Sequence, residues 1–141
     1  MNVAVKIKKM RENVAVPGYA HPGDVGLDVR ALEAYVLRPG ERKLFPLGFA
    51  LEFPIGYAVL VKDRGSMAMA GLHTTGGVFD AGYRGEYNIQ LVNLGHENYE
   101  IKAGHKIAQL VVFPVALAQL EELAELSDSS RGEGKFGSTG I

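Results

Sequence analysis

An all-β fold, a sandwich, barrel or jelly roll, is predicted by three features of this 141-residue chain. Apolar residues recur with period two, as strands with one buried face require. Turn signals rich in Pro, Gly and Asn separate these runs at short intervals. Composition is that of one ordinary globular domain, with 47% apolar and 22% charged residues, and a chain of this length buries roughly two-thirds of its unfolded surface.

The elements follow in order. Val3, Val5 and Ile7 alternate with polar or small neighbours and predict a first strand. Pro17-Gly18, Pro22-Gly23-Asp24, Pro39-Gly40 and Pro54-Ile55-Gly56 mark turns between the next short strands. Tyr57 to Lys62 is a β-branched apolar run, and one or two turns of helix are expected around Ser66 to Leu72. Tyr87, Ile89 and Leu91 alternate with Asn88, Gln90 and Val92, before further turns at Asn93-Leu94-Gly95 and Ala103-Gly104. Ile107 to Phe113 forms the last strand. Leu117, Leu120, Leu123 and Ala124 then have helical spacing among good helix formers, so local propensity alone predicts a helix there. The Gly- and Ser-rich segment that follows has no apolar period and is expected to be mobile.

Charge and composition exclude several functions. A net charge of −1 disfavours a duplex-binding face, so no nucleic-acid partner is expected. The chain has no cysteine, which removes disulfides, thiolate metal sites and a Cys nucleophile. MNVAVKIKKMREN has no apolar run long enough for a signal peptide or a membrane span, so a cytoplasmic protein with no membrane partner is expected.

Five polar islands carry the chemistry. Asp24 and Asp28 lie in DVGLDVR, where two acids at a turn either help hold a cation or are simply solvated. In Lys62-Asp63-Arg64-Gly65-Ser66, a guanidinium beside free amides and a hydroxyl at a helix start suits a phosphate. The other reading is a surface ion pair followed by an N-cap at Ser66. GGVFDAGYRGE places Asp80 three residues before Tyr83 among Gly76, Gly77, Gly82 and Gly85. That frame suits an acid that activates water beside a stacked ring. Gln109 interrupts the apolar run Ile107 to Phe113, so its amide either bonds main chain or points into a site. The tail carries Arg131, Phe136, Ser138 and Thr139, groups able to fold over an anion as a lid. Its GEGKFG string matches a dinucleotide fingerprint in form only, since no βαβ context surrounds it.

In order along the chain, DVGLDVRA, DRGSMA, GGVFDAGYRGE, GHKIAQLV and RGEGKFGSTG resemble the motifs of the trimeric deoxyuridine triphosphate nucleotidohydrolase (dUTPase) family. The resemblance implies a distorted, β-clip-like jelly-roll subunit with one short helix, in a homotrimer with shared active sites. Residues 1–127 would form the catalytic core, and 128–141 a lid completing a neighbouring subunit's site. It also implies that ALAQLEELAEL is largely extended, which overrides the propensity-based helix. The implied reaction is hydrolysis of dUTP to dUMP and pyrophosphate with Mg²⁺. Asp80 would activate water, and Tyr83 would pack beneath the deoxyribose. Main chain around Gly77, Val78, Phe79 and Asn88, together with Thr74, would lie at the nucleoside. Arg64, Gly65, Ser66 and Gln109 would grip phosphates, and Asp28 would act on the metal mainly through water. Arg131, Phe136, Gly137, Ser138 and Thr139 would close the site.

The chain departs from the family pattern at Gly65, which precedes Ser66, at His105, where an acid is usual, and at Lys135 before Phe136. The dCTP deaminases share the fold, but their glutamate corresponds here to Gln90, an amide that cannot shuttle a proton. A non-catalytic nucleotide-binding module on the same scaffold would be marked by loss of the acid or the lid, and both are present.

Overall fold

Alternation drives the layering. In the computed structural model, which describes residues 1–140, β9 (Asn88–Asn93) buries Ile89, Leu91 and Asn93 and turns Gln90 outward. β9 is the middle strand of a three-stranded sheet, between β4 (Arg42–Pro46) and β7 (Leu72–Thr75). The second sheet has four strands in the order β2 (Leu27–Arg30), β11 (Lys106–Pro114), β6 (Tyr57–Lys62) and β8 (Val78–Phe79). Two smaller pairs complete the fold: β1 (Lys6–Lys9) with β5 (Phe49–Glu52), and β3 (Tyr35–Leu37) with β10 (Tyr99–Ile101). All these pairings are antiparallel.

The core is one continuous cluster that draws on both larger sheets. Val59, Ile107 and Leu110 enter from one and Leu72, Ile89 and Leu91 from the other, with Phe49, Tyr87 and Leu37 between them. Asn93 is buried among these apolar groups without loss. Its Nδ2 donates to the carbonyls of Leu37 (3.0 Å) and Glu97 (2.8 Å), and its Oδ1 accepts from the Gly95 amide (2.9 Å). A buried amide with every group paired fixes the turn after β9 instead of weakening it.

Two expectations are adjusted. The helix, α1, spans Gly65–Met69, and Leu72 belongs to β7, where it is buried. Ser66 lies inside the helix. The N-cap is Arg64, with no side-chain cap bond. Residues 115–126 form no helix, as the family resemblance implied, and Leu117, Leu120, Leu123 and Leu126 are exposed. A helix gains most of its stability from packing one apolar face, and this chain offers those leucines no surface of its own.

Candidate active site

β6 runs between the two polar centres. At its C-terminal end the chain passes through Asp63 and Arg64 into α1. Near its other end, Val59 pairs with Phe79 of β8, which leads into Asp80. The two centres are therefore built differently and lie apart.

The Asp80 centre begins where β7 crosses to the other sheet. Gly76 and Gly77 have φ of +67° and +96°, so the chain turns there and enters β8. A Cβ on Gly77 would lie 2.6 Å from Val61 Cβ, so only glycine fits. The Val61 amide donates to the Gly77 carbonyl (2.8 Å) and locks the crossing. Beyond β8, the Tyr83 amide donates to the Asp80 carbonyl (3.1 Å), closing a tight turn with Asp80 exposed. Tyr83 lies across Gly85, where any Cβ would strike its phenol ring, and its hydroxyl donates to the Glu86 carbonyl (3.0 Å). Arg11 grips Glu86 with two parallel bonds, of 2.8 and 3.1 Å, and so ties the turn to the N-terminal segment.

Beneath the turn lies an aromatic stack. Phe79 and Tyr87 are parallel, with centroids 4.0 Å apart, Phe49 continues the stack behind Tyr87 at 5.9 Å, and Tyr83 leans on both Phe79 and Tyr87. Tyr87 is fully buried and its hydroxyl has no partner among the described residues. Burial, with lesser help from Tyr83 and Asp80 and against Arg84, pushes this hydroxyl up to about 12.

The Arg64 centre is held by charge. Asp28 sits on β2, opposite Gln109 of β11. Its Oδ1 accepts from Arg64 Nε (3.2 Å) and its Oδ2 pairs with Lys106 Nζ (2.6 Å), with all three side chains largely buried. Arg64 also donates to the Lys106 carbonyl (3.3 Å). Arg30, Arg64, Ser66, His105 and Lys106 line a recess of about 270 Å³, a basic hollow able to take an anion. A larger recess, of about 670 Å³, lies beside β2 between residues 13–20 and Gly104. It includes Asp28 but neither Arg64 nor Asp80.

Several residues singled out in the sequence take supporting places. Gln109 donates its Nε2 to the Asp63 carbonyl (2.8 Å), which is the main-chain alternative, and Gly26 leaves the room its side chain occupies. Thr74 is buried, and both its amide and its hydroxyl donate to Asp63 (2.7 and 2.6 Å), so neither is free for a ligand. Asn88 opens β9 opposite Pro46. Gly65 and Ser66 are exposed at the start of α1. Arg131, Phe136, Gly137, Ser138 and Thr139 are exposed, and Arg131 donates to the Gly134 carbonyl (2.9 Å) within the tail itself.

Sequence reasoning names Asp63 only as one member of the Lys62–Ser66 island and does not foresee its partners on β7 and β11. Burial raises its carboxyl, but the bonds from Thr74 and His73 outweigh this and hold it below the usual carboxylate range. Asp63 Oδ2 pairs with His73 Nδ1 (2.6 Å) on β7, a partner outside its own stretch of chain and so invisible to local inspection.

A family model for dUTPase matches residues 12–140. The chain belongs to the dUTPase family. It is 41% identical over 140 residues to a deoxyuridine 5'-triphosphate nucleotidohydrolase of Clostridioides difficile, covering 97% of this chain and 98% of that one. A protein of that name from Streptomyces avermitilis is 43% identical over 140 residues, covering 96% and 80%. Among solved structures, a dUTPase of Staphylococcus bacteriophage 80alpha with dUPNHPP superposes with TM-score 0.91 at 29% identity, over 98% of this chain and 99% of that one. This dUTPase is thus an enzyme that hydrolyses dUTP, on the nearly all-β fold with one short helix that the sequence predicted.

A magnesium ion is described for another relative, a phage phi11 dUTPase of S. aureus similar at TM-score 0.82 and 25% identity over 89% of this chain and 99% of that one. In this dUTPase the described residues contain no group of three or more His, Cys, Asp or Glu able to cage a metal. Asp28 is already engaged by two cations. Within one chain, such a donor set fits a Mg²⁺ that keeps most of its waters better than one caged by protein ligands. No helix among the described residues is long and apolar enough to cross a membrane.

Proposed function

We propose that Asp80 activates the water that attacks the α-phosphorus of dUTP, releasing dUMP and pyrophosphate, in a site shared between chains of a homotrimer. The observation that carries this reading is the separation of the two centres along β6. Asp80 follows Phe79, the partner of Val59, whereas Arg64 lies beyond Lys62. Ala58 to Lys62 alone spans roughly 13 Å of strand. A base must stand within hydrogen-bond reach of its water, and the charge it helps create must meet the phosphate grip at the same phosphorus. A second chain's Arg64 centre, set against this chain's Asp80 turn, would supply that.

Each part then has a role. The exposed Asp80 carboxylate accepts the proton of the attacking water. Tyr83, fixed across Gly85, presents its ring to the deoxyribose and leaves no room for a 2′-hydroxyl. Main chain from Gly77 to Phe79 and near Asn88 reads the uracil edge, and the narrow turn rejects a thymine methyl by clash. Arg64, with the amide of Gly65 and the hydroxyl of Ser66, grips phosphates from the basic recess. Thr74 and Gln109 serve that grip from behind, through Asp63.

Mg²⁺ on the triphosphate would neutralise charge there, with Asp28 meeting it through water. Residues 128–141 act as the lid: Arg131 on the terminal phosphate, Phe136 over the uracil, Gly137 giving the turn, and Ser138 and Thr139 on phosphates. Closure expels water and strengthens every charged contact inside. The product would feed dTMP synthesis and keep uracil out of DNA.

Pyrophosphate release from dUTP, dCTP, dTTP and UTP, each with and without Mg²⁺, tests the reading. Turnover is expected with dUTP alone, and to depend on Mg²⁺. Tight binding without turnover would instead make the protein a nucleotide-binding module, and ammonia released from dCTP would make it a deaminase.

A further inference from the structure

Four hydrogen bonds converge on Asp63, the residue immediately before Arg64. Its Oδ1 accepts from the Thr74 amide (2.7 Å) and the Thr74 hydroxyl (2.6 Å). Its Oδ2 pairs with His73 Nδ1 (2.6 Å), and its carbonyl accepts from Gln109 Nε2 (2.8 Å). These partners come from β7 in the three-stranded sheet and from β11 in the four-stranded sheet. One residue therefore ties both sheets to the point where the loop begins.

The short helix that follows adds little hold of its own on that loop. α1 has five residues, its N-cap makes no side-chain bond, and its first turn contains no acid. A helix this short has little stability of its own. Asp63 therefore shares the placing of Arg64 to Ser66 with the Arg64 bonds to Asp28 and the Lys106 carbonyl and with the buried Met67. Asp63 also presents a negative charge close to a recess built for anions, and its three donors account for that charge on the side of β7.

We propose that Asp63 is a positioning residue for the phosphate-gripping loop, with Thr74 and His73 as its donors and Arg64, Gly65 and Ser66 as the groups it places. This rests on the reading of that loop as a phosphate grip. Asp63 acts through backbone and touches no substrate atom. Its loss should thus weaken binding in proportion to the phosphates a ligand carries.

The test compares two ligands on the intact protein by calorimetry: dUMP, and a non-hydrolysable imido analogue of dUTP with Mg²⁺. Asp63→Ala and Thr74→Val should each weaken the imido analogue about tenfold or more and leave dUMP within about twofold. Thr74→Ser, which keeps the hydroxyl, and Asp63→Asn, which keeps an acceptor, should restore most of that loss. Thr74→Val retains shape and amide donor, so it decides the matter even if Asp63→Ala fails to fold. Equal loss of both ligands would make Asp63 a general scaffold residue, and unchanged binding of both would remove its role. Either result overturns the proposal. A wild-type protein that binds the imido analogue no more tightly than dUMP would instead overturn the reading of the loop itself.

Discussion

The two ends of β6 solve opposite problems. At the Arg64 end, the acids are committed: Asp28 holds Arg64 and Lys106, and Asp63 holds Thr74 and His73. At the Asp80 end, the scaffold is mainly apolar, with Phe79, Tyr87 and Phe49 stacked under the turn and one ion pair, Arg11–Glu86, at its edge. The ion pairs among the described residues do not include Asp80. A grip gains from being preorganised before its anion arrives. A base gains from an uncommitted carboxylate on a rigid frame. The contrast teaches that the Arg64 end is fixed mainly by ion pairs, and the Asp80 end mainly by ring packing that leaves the Asp80 carboxylate outside every ion pair among the described residues.

The largest expected break in this comparison is Asp80→Asn. Turnover of dUTP should fall roughly 10²–10⁴-fold, the usual worth of a positioned base, with nucleotide binding retained by calorimetry. Wild-type rates would take Asp80 out of the chemistry. Next comes removal of every residue after Ser130. The core should assemble as before while steady-state turnover falls roughly 10²-fold, the scale of losing substrate positioning. Normal hydrolysis by that truncated chain would end the lid assignment.

The smallest expected effect lies under the turn. Tyr87→Phe removes an unpartnered buried hydroxyl and keeps the stack, so it should stabilise the protein by about 1 kcal/mol in denaturant titration. The same hydroxyl gives the sign of an alkaline effect. Its proton is held more tightly in the folded state than in the unfolded chain, where tyrosine titrates near 10. Stability is therefore unaffected by titration of this group below pH 10 and falls as pH rises from there toward about 12. Tyr87→Phe should flatten that limb of the stability curve, and a variant as steep as wild type would assign the limb to other groups.

Much of the fold was legible because period two and turn chemistry agree along most of the chain. Tyr87, Ile89 and Leu91 face the core as their alternation requires. Segment 115–126 misled local reasoning because helix propensity knows nothing of the surface a helix needs. Asp80, Tyr83 and their glycines stood out because turn and ring need those residue types at that spacing. Asp63 did not, because its partners His73, Thr74 and Gln109 reach it only once β7 and β11 are in place. Non-local bonds of this kind leave no local trace.

The claim that Asp80 and Arg64 act together only across chains can be measured by mixing two inactive variants. Asp80→Asn and Arg64→Ala chains, co-expressed in equal amounts, should recover about a quarter of wild-type dUTP turnover, since random assembly leaves that share of shared sites with both groups intact. Activity no higher than the sum of the two separate variants, in preparations shown to contain mixed oligomers, would contradict the account.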